Sequence, residues 1–245
     1  MDIVADLHTH TLASSHAFST LNEMVEKARC LGYRAMAVTD HGKALPDSPH
    51  EWYFHNITSL PTVLEDGFVL LKGAEANPIG RNGDLDMEDE ILKSLDWVIA
   101  ALHSKCISPL SFEDATQLWL QVAQHPYVDM IGHPEEGRWK FDYERVVPVF
   151  KQNNKIVELN GNSPVARKGN ERNLRELLLC CKKYGAKIAV NSDAHSTYNM
   201  GQLGWAFALL EELAFPEELI VNTSFSRFHE ELVLHGRPVA SRFSP

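Results

Sequence analysis

The sequence predicts an α/β barrel, on three observations. Short apolar, β-rich segments alternate with amphipathic helical ones from end to end, no linker rich in Gly, Ser or Pro divides the 245 residues, and histidines and carboxylates recur where the apolar segments stop. Strands are expected at residues 3–6, 35–39, 68–75, 97–102, 128–132, 156–159 and 188–191. Alternation with helices implies parallel pairing through crossovers. Between the first two strands, Thr20 with Glu23 three residues on forms a capping box. Leu21, Met24, Val25 and Ala28 then make an apolar stripe, and Gly32 ends the helix. Further helices are predicted over 111–124, 142–152 and 170–184. Residues 77–86, with Asn82-Gly83 inside them, read as a hairpin turn extending the third strand. From Met200 the chain reads as helices plus one short apolar segment at 219–221 that the pattern does not place.

Composition fits this frame. At 27.6 kDa one domain, 1–245, can bury a sizeable core. Apolar residues at 44% and charged ones at 23% are the balance of a globular protein, and no low-complexity stretch or internal repeat is visible. The apolar runs fall short of the roughly 20 residues that span a bilayer, so no membrane association is expected. The N-terminus lacks a basic region, and candidate ligands begin at His8, which points to a cytoplasmic protein. Cys30, Cys106, Cys180 and Cys181 show no C-x-x-C spacing and are expected as buried, reduced thiols. A net charge of -10 argues against extended nucleic-acid binding, which needs a basic face.

The metal-competent side chains carry the functional signal. The first strand runs into His8-Thr9-His10, the second into Asp40-His41, the third into Glu75, the fourth into His103, the fifth into His133 and the seventh into Asp193-Ala194-His195. In a parallel barrel these C-terminal ends converge on the catalytic face. Residues at i and i+2 of an extended chain share a side, so His8 and His10 are co-directed, as are Asp193 and His195 if extension persists. His16 lies in the first βα loop and can fold back over the mouth. Singly, each of these histidines is an ordinary hydrogen-bonded or solvated residue. Seven of twelve at one rim are not, because burying imidazoles without partners is costly. The other five, His50, His55, His125, His229 and His235, fall on helices or peripheral loops, where surface or core roles are expected.

Nine candidate donors are too many for one ion and fit two or three four-coordinate ions, with positions left open for water or substrate. The absence of nearby cysteines disfavours a closed structural zinc site; nitrogen and oxygen donors suit zinc, manganese or iron. Seven neutral imidazoles and two carboxylates carry -2, so three divalent ions would leave the pocket near +4 and favour an anionic substrate. Arg138, Lys140, Arg167 and Lys168 follow strands five and six; Arg167, after the Asn160-Gly161-Asn162-Ser163 turn, is the expected phosphate contact.

These residues resemble a known family. Asp6-Leu7-His8-Thr9-His10, Thr39-Asp40-His41-Gly42, Gly73-Ala74-Glu75, His103, Gly132-His133-Pro134 and Asn191-Ser192-Asp193-Ala194-His195 resemble the PHP (polymerase and histidinol phosphatase) superfamily, most closely its YcdX-type phosphatases. The resemblance covers nearly the whole chain and implies a distorted (βα)7 TIM-like barrel with three divalent ions, usually zinc. It implies that His8, His10, Glu75 and Asp193 hold one ion, that Glu75, His103 and His133 hold a second, and that His16, His41 and His195 hold the third. The implied reaction is hydrolysis of phosphate monoesters by a metal-bound hydroxide held by Glu75, Asp193 and His10. Arg167 would neutralise phosphoryl charge, and Asp40 would orient an imidazole from behind.

Three alternatives stand beside this reading. A phosphodiesterase or nuclease shares the same metals. An amidohydrolase also begins with H-x-H but usually recruits a bridging lysine, and no strand-end lysine stands out. A non-catalytic metal-binding module would keep the fold without turnover. The partner expected is a small phosphorylated substrate, with histidinol phosphate and sugar or nucleotide phosphates as family options. Loops 46–55 and 78–86 are expected to shape that choice, and homo-oligomerisation is left open.

Overall fold

A computed structural model describes residues 2–245, so Met1 of the predicted domain lies outside the described residues. The strands are β1 (Ala5–Thr9), β2 (Ala35–Val38), β3 (Val69–Ala76), β4 (Trp97–Ala101), β5 (Met130–Gly132), β6 (Ile156–Asn160) and β7 (Ile188–Asn191). Between them run α1 (Leu21–Cys30), α2 (Glu51–Ile57), α3 (Asp89–Ser94), α4 (Phe112–Val122), α5 (Tyr143–Gln152), α6 (Ser163–Ala166) and α7 (Glu171–Tyr184), and α8 (Gly204–Glu212) and α9 (Phe225–Leu234) follow. Every neighbouring pair is parallel in the order β1 to β7. β7 returns beside β1 through a Thr9–Ala194 bridge and the His10 N–H donating to the Ala194 carbonyl at 2.9 Å. The result is the distorted, nearly closed seven-stranded barrel expected from the sequence.

Two apolar layers hold it. One lies between the strands and the outer helices and includes Met24, Phe54, Leu92, Trp119, Phe150 and Leu177. The other fills the lower barrel with Ala5, Leu7, Val69, Leu71, Trp97, Ile99, Met130 and Ile156, and α9 plugs it with Phe225, Phe228 and Leu232. Trp97 and Phe228 are fully buried, and side chains of this kind each contribute about 1.5–3 kcal/mol on removal from water.

The segment at 219–221 closes the floor. Ile220 bridges Ile188, and the adjacent Asn222 spans the seam between β1 and β7. Its Nδ2 donates to the Ala5 and Val190 carbonyls at 2.8 and 2.7 Å, and its Oδ1 accepts from the Val190 N–H at 3.0 Å.

Some boundaries differ from the sequence reading. The first strand begins and ends later than 3–6, taking His8 and Thr9 into the sheet, and the fifth is only Met130–Gly132. Half of loop 46–55 is helical, because His50 Nδ1 caps α2 by accepting from the Trp52 N–H. α2 and α3, at 7 and 6 residues, are too short to show a helical period. The 77–86 turn forms with Gly83 at φ +80°, but as a single Pro78–Leu85 antiparallel bridge beyond the end of β3. All four cysteines are free, yet only Cys180 and Cys181 are buried; Cys30 is exposed and Cys106 half-buried.

Candidate metal centre

Along each strand the inward positions are apolar below and polar above. In β3 the sequence Val69, Leu71, Gly73 and Glu75 keeps one parity; in β4 it is Trp97, Ile99, Ala101 and, just past the strand, His103. Period-2 geometry therefore carries Glu75 and His103 to the mouth above the core. β1 breaks that rule. Asp6 pairs with Met36 but Thr9 with Val38, so β1 advances three residues while β2 advances two. The extra residue is a bulge that re-aims the strand. Leu7 packs in the lower core, and His8 with His10, of opposite parity, reach the mouth. β5 and β7 turn in differently, with His133 and Asp193 in the left-handed region at φ +33° and +52°, a strained state for non-glycine residues that is found at functional sites.

Glu75 sits at the centre, 1% exposed. Its Oε1 lies 2.8 Å from His133 Nε2, 3.3 Å from His8 Nε2 and 3.5 Å from His103 Nε2. Its Oε2 lies 2.8 Å from His41 Nδ1 and 3.6 Å from His10 Nε2. Asp193 Oδ1 lies 3.3 Å from His10 Nε2 and 3.6 Å from both His8 Nε2 and His195 Nδ1. Four sets of donors come together closely enough to hold an ion: His8, His10 and Glu75; His10, His41 and His195; His41, Glu75 and His103; and His16, His41 and Asp47. His16 is the outermost of the predicted donors. Its side chain is 54% exposed and pairs with Asp47, while its ring lies 4.4 Å from that of His195 and 5.1 Å from that of His41.

Divalent cations suit this donor set. Among the described residues, His8 Nε2, both ring nitrogens of His10 and of His41, Glu75 Oε2 and His195 Nε2 are buried without an aligned hydrogen bond, His41 Nδ1 and Glu75 Oε2 being close at 2.8 Å but poorly directed. An orphaned buried polar atom costs about 1–3 kcal/mol, so seven facing one space call for a ligand that accepts lone pairs.

The electrostatics agree. Burial would raise the Glu75 carboxyl, but His103, His8 and His41 outweigh it and hold it well below the carboxylate range. Burial would likewise raise Asp193, and His8, His10, His195 and Arg167 outweigh it. Burial, with His195 and His41 beside it, pushes His10 well down, and burial takes His103 to about 3. His10 and His103 are thus already in the neutral state that ligates metals, whereas Glu158, Glu75 and Asp193 outweigh burial to hold His8 well up and Glu75 outweighs it to hold His41 up, so those two rings would release a proton on binding an ion.

Behind the donors stands a row of buried partners absent from the sequence reading. Glu158 Oε1 lies 2.7 Å from His8 Nδ1, and its Oε2 accepts the His133 N–H at 2.9 Å. Asn77 Oδ1 lies 2.7 Å from His103 Nδ1. Asp47 is the other omission, inside a segment read as a loop. The signal for Glu158 was a carboxylate inside an otherwise apolar strand.

Asp40 is a correction. Among the described residues it touches no imidazole. It accepts from the Thr11 N–H and hydroxyl, both at 2.8 Å, from the Ser14 hydroxyl at 2.7 Å and from the Tyr53 hydroxyl at 2.5 Å. It reaches His41 only through Ser14, whose Oγ accepts the His41 N–H at 3.1 Å.

Of the four basic residues, Arg167 alone reaches the centre. Its Nη2 lies 3.3 Å from Asp193 Oδ2 and its Nη1 3.3 Å from Asn160 Oδ1. Arg138 pairs with Glu136, Lys140 with Glu176, and Lys168 is exposed.

A family model described as the PHP domain matches residues 6–187. A probable phosphatase of Acetivibrio thermocellus is 44% identical over 230 residues, covering 94% of this chain and 95% of that protein. Another, of Caldicellulosiruptor saccharolyticus, is 39% identical and covers 98% and 100%. Among solved structures, the histidinol phosphate phosphatase of Lactococcus lactis, determined with zinc, L-histidinol and phosphate, superposes with a TM-score of 0.65 over 88% of this chain and 95% of that one. At 18% identity that likeness is one of fold.

Proposed function

This chain belongs to the PHP-domain family and is a metal-binding hydrolase acting on phosphate esters, and from that premise we propose that it is a phosphomonoesterase with a three-ion centre and a small phosphorylated substrate. Within the family we assign it to the YcdX-type branch. The observation that carries the reading is the convergence of unpartnered, buried nitrogen and oxygen atoms around Glu75. We treat residues 1–245 as one working unit, because the turn at Asn222 and the plug of α9 complete the barrel whose other end bears the site.

His8, His10, Glu75 and Asp193 would hold the first ion, Glu75, His103 and His133 the second, and His16, His41 and His195 the third, with zinc favoured over manganese or iron. His10 lies within reach of the first and third sets, which supports one connected cluster. When bound, such ions polarise the phosphoryl oxygens and make water a nucleophile near neutral pH.

The chain's own residues supply the rest. Glu75 and Asp193 stay ionised and present oxygens to more than one set. Glu158 and Asn77 accept from the far nitrogens of His8 and His103, which fixes each ring with Nε2 toward the centre. The Arg167 guanidinium, half-buried against Asp193, offers its remaining N–H groups to phosphoryl oxygens.

The test is metal removal and return. Chelated protein should lose turnover of 4-nitrophenyl phosphate and regain it with zinc or manganese, at about three ions per chain by mass spectrometry. Rates on bis(4-nitrophenyl) phosphate and a short oligonucleotide should be lower. Full turnover in verified metal-free protein would overturn the metal centre, and a faster diester rate would overturn the monoester assignment.

A further inference from the structure

Arg167 also lines a half-open cavity of about 290 Å³ between α6, α7 and α8. Leu174, Ala208 and Leu209 give it an apolar lining, and Trp205 forms a flat wall. That ring is held in place, because its Nε1 donates to the Gly161 carbonyl at 2.8 Å. The polar boundary is Arg167, Asn170 and Glu171 with Glu135, a buried carboxylate that accepts the Ser163 hydroxyl at 2.5 Å and whose Oε2 has no partner among the described residues. Arg175 and Glu212 pair at 2.6 Å across α7 and α8 at the rim.

The cavity and the metal centre share one residue. Arg167 hydrogen-bonds Asp193 and Asn160 and also lines the cavity. A phosphoryl group held by Arg167 and the ions therefore lies one side chain from an apolar chamber of ring size. Most of the surface exposed in the cavity is apolar, and with the Trp205 ring at one wall it suits the hydrocarbon body of an alcohol better than a short polyol.

Resting on the proposed phosphomonoesterase activity, we propose that this cavity is the leaving-group subsite, and that the substrate class is phosphate monoesters of alcohols with a ring-sized apolar body packed on Trp205. Hydrolysis transfers the phosphoryl group to water, the ester P–O bond breaks, and the departing alkoxide takes a proton and leaves as the apolar alcohol.

The experiment compares 2-phenylethyl phosphate with ethyl phosphate on the metal-loaded protein, since the two leaving groups differ little except in the ring. Wild type should prefer the phenylethyl ester by roughly 10–100-fold in kcat/KM, the range expected for seating an apolar group. Ala208→Trp fills the chamber from an exposed helical position. It should abolish that preference while leaving the ethyl phosphate rate within about twofold. Equal rates in wild type, or a preference that survives Ala208→Trp, would overturn the subsite. If neither ester turns over, the failure belongs to the proposed activity, and calorimetric titration of 2-phenylethanol decides the cavity separately. Binding to wild type that Ala208→Trp removes would uphold it as an apolar-alcohol site, and no binding would reject it.

Discussion

Glu158 fixes His8 from behind, and its importance is a matter of tautomer. With Oε1 at 2.7 Å from Nδ1, the carboxylate holds that nitrogen protonated and leaves Nε2 free beside Glu75 and Asp193. Glu158→Gln removes the charge and offers an amide that can present the wrong partner. Metal affinity should fall about 10–100-fold, measured by competition with a chromophoric chelator, with activity restored by excess metal. Unchanged affinity would reject this role. The residues that gather around Glu75 were legible in the sequence because most of them stand at the end of an apolar strand, whereas Glu158 lies within one, where a carboxylate marks a buried partner and not which ring it holds, and Asp47 lies in a segment read as a loop. A second residue prediction concerns Lys155, which is buried and donates to the His125 and Val128 carbonyls at 2.7 and 2.6 Å. Burial lowers it from 10.5 to about 8. Below that value the charged form burdens the fold fully. Between the two values the native state releases its proton first and stability rises with pH, and above both the burden is gone. Wild type should therefore gain stability relative to Lys155→Met between about pH 8 and 10.5 in urea titrations. Parallel curves for the two proteins would refute the assignment.

At the scale of elements, two features decide the site, and they differ in legibility. The parity of β3 and β4 is written in the sequence, where an alternating apolar run ends in Glu75 or His103 two residues above the last core side chain. The bulge in β1 is not, because the register shift arises from pairing with β2, some thirty residues away. The i, i+2 relation of His8 and His10 was sound, but the strand carrying them was placed too early. The turn at Asn222 was equally hidden. Its value lies in three backbone groups at the β1–β7 seam, where neither strand has a regular partner for them. Asn222→Ala should leave those groups unpaired and cost about 2–4 kcal/mol. In a chain of this length that lowers the melting temperature by roughly 5–15 °C. A shift under about 2 °C in a differential scan would show that the seam is closed by other means.

Across the whole molecule, the candidate donors come from the ends of six strands and the first loop, and the first and last of them in sequence, His8 and His195, lie in β1 and just past β7, the two strands that meet at the seam. Ions bound there cross-link β1 to β7 at the mouth, opposite the Asn222 seam at the floor. Without ions the barrel must bury seven partnerless atoms and concentrate carboxylates around Glu75 and Asp193, costs that the unfolded chain escapes. Metal binding should consequently be visible as folding stability. A ligand present at about a thousand times its dissociation constant stabilises the native state by about 4 kcal/mol per site. Metal-free protein should then melt at least about 10 °C below the zinc-loaded form in a calorimetric scan, with the gap closing as metal is titrated back. Glu75→Gln, which removes the charge shared by the sets, should erase most of that gap while folding on its own. Equal melting temperatures with and without metal, in protein shown by mass spectrometry to bind it, would mean that the mouth of the barrel is held together by the chain alone and that the orphaned atoms are tolerated at no measurable cost.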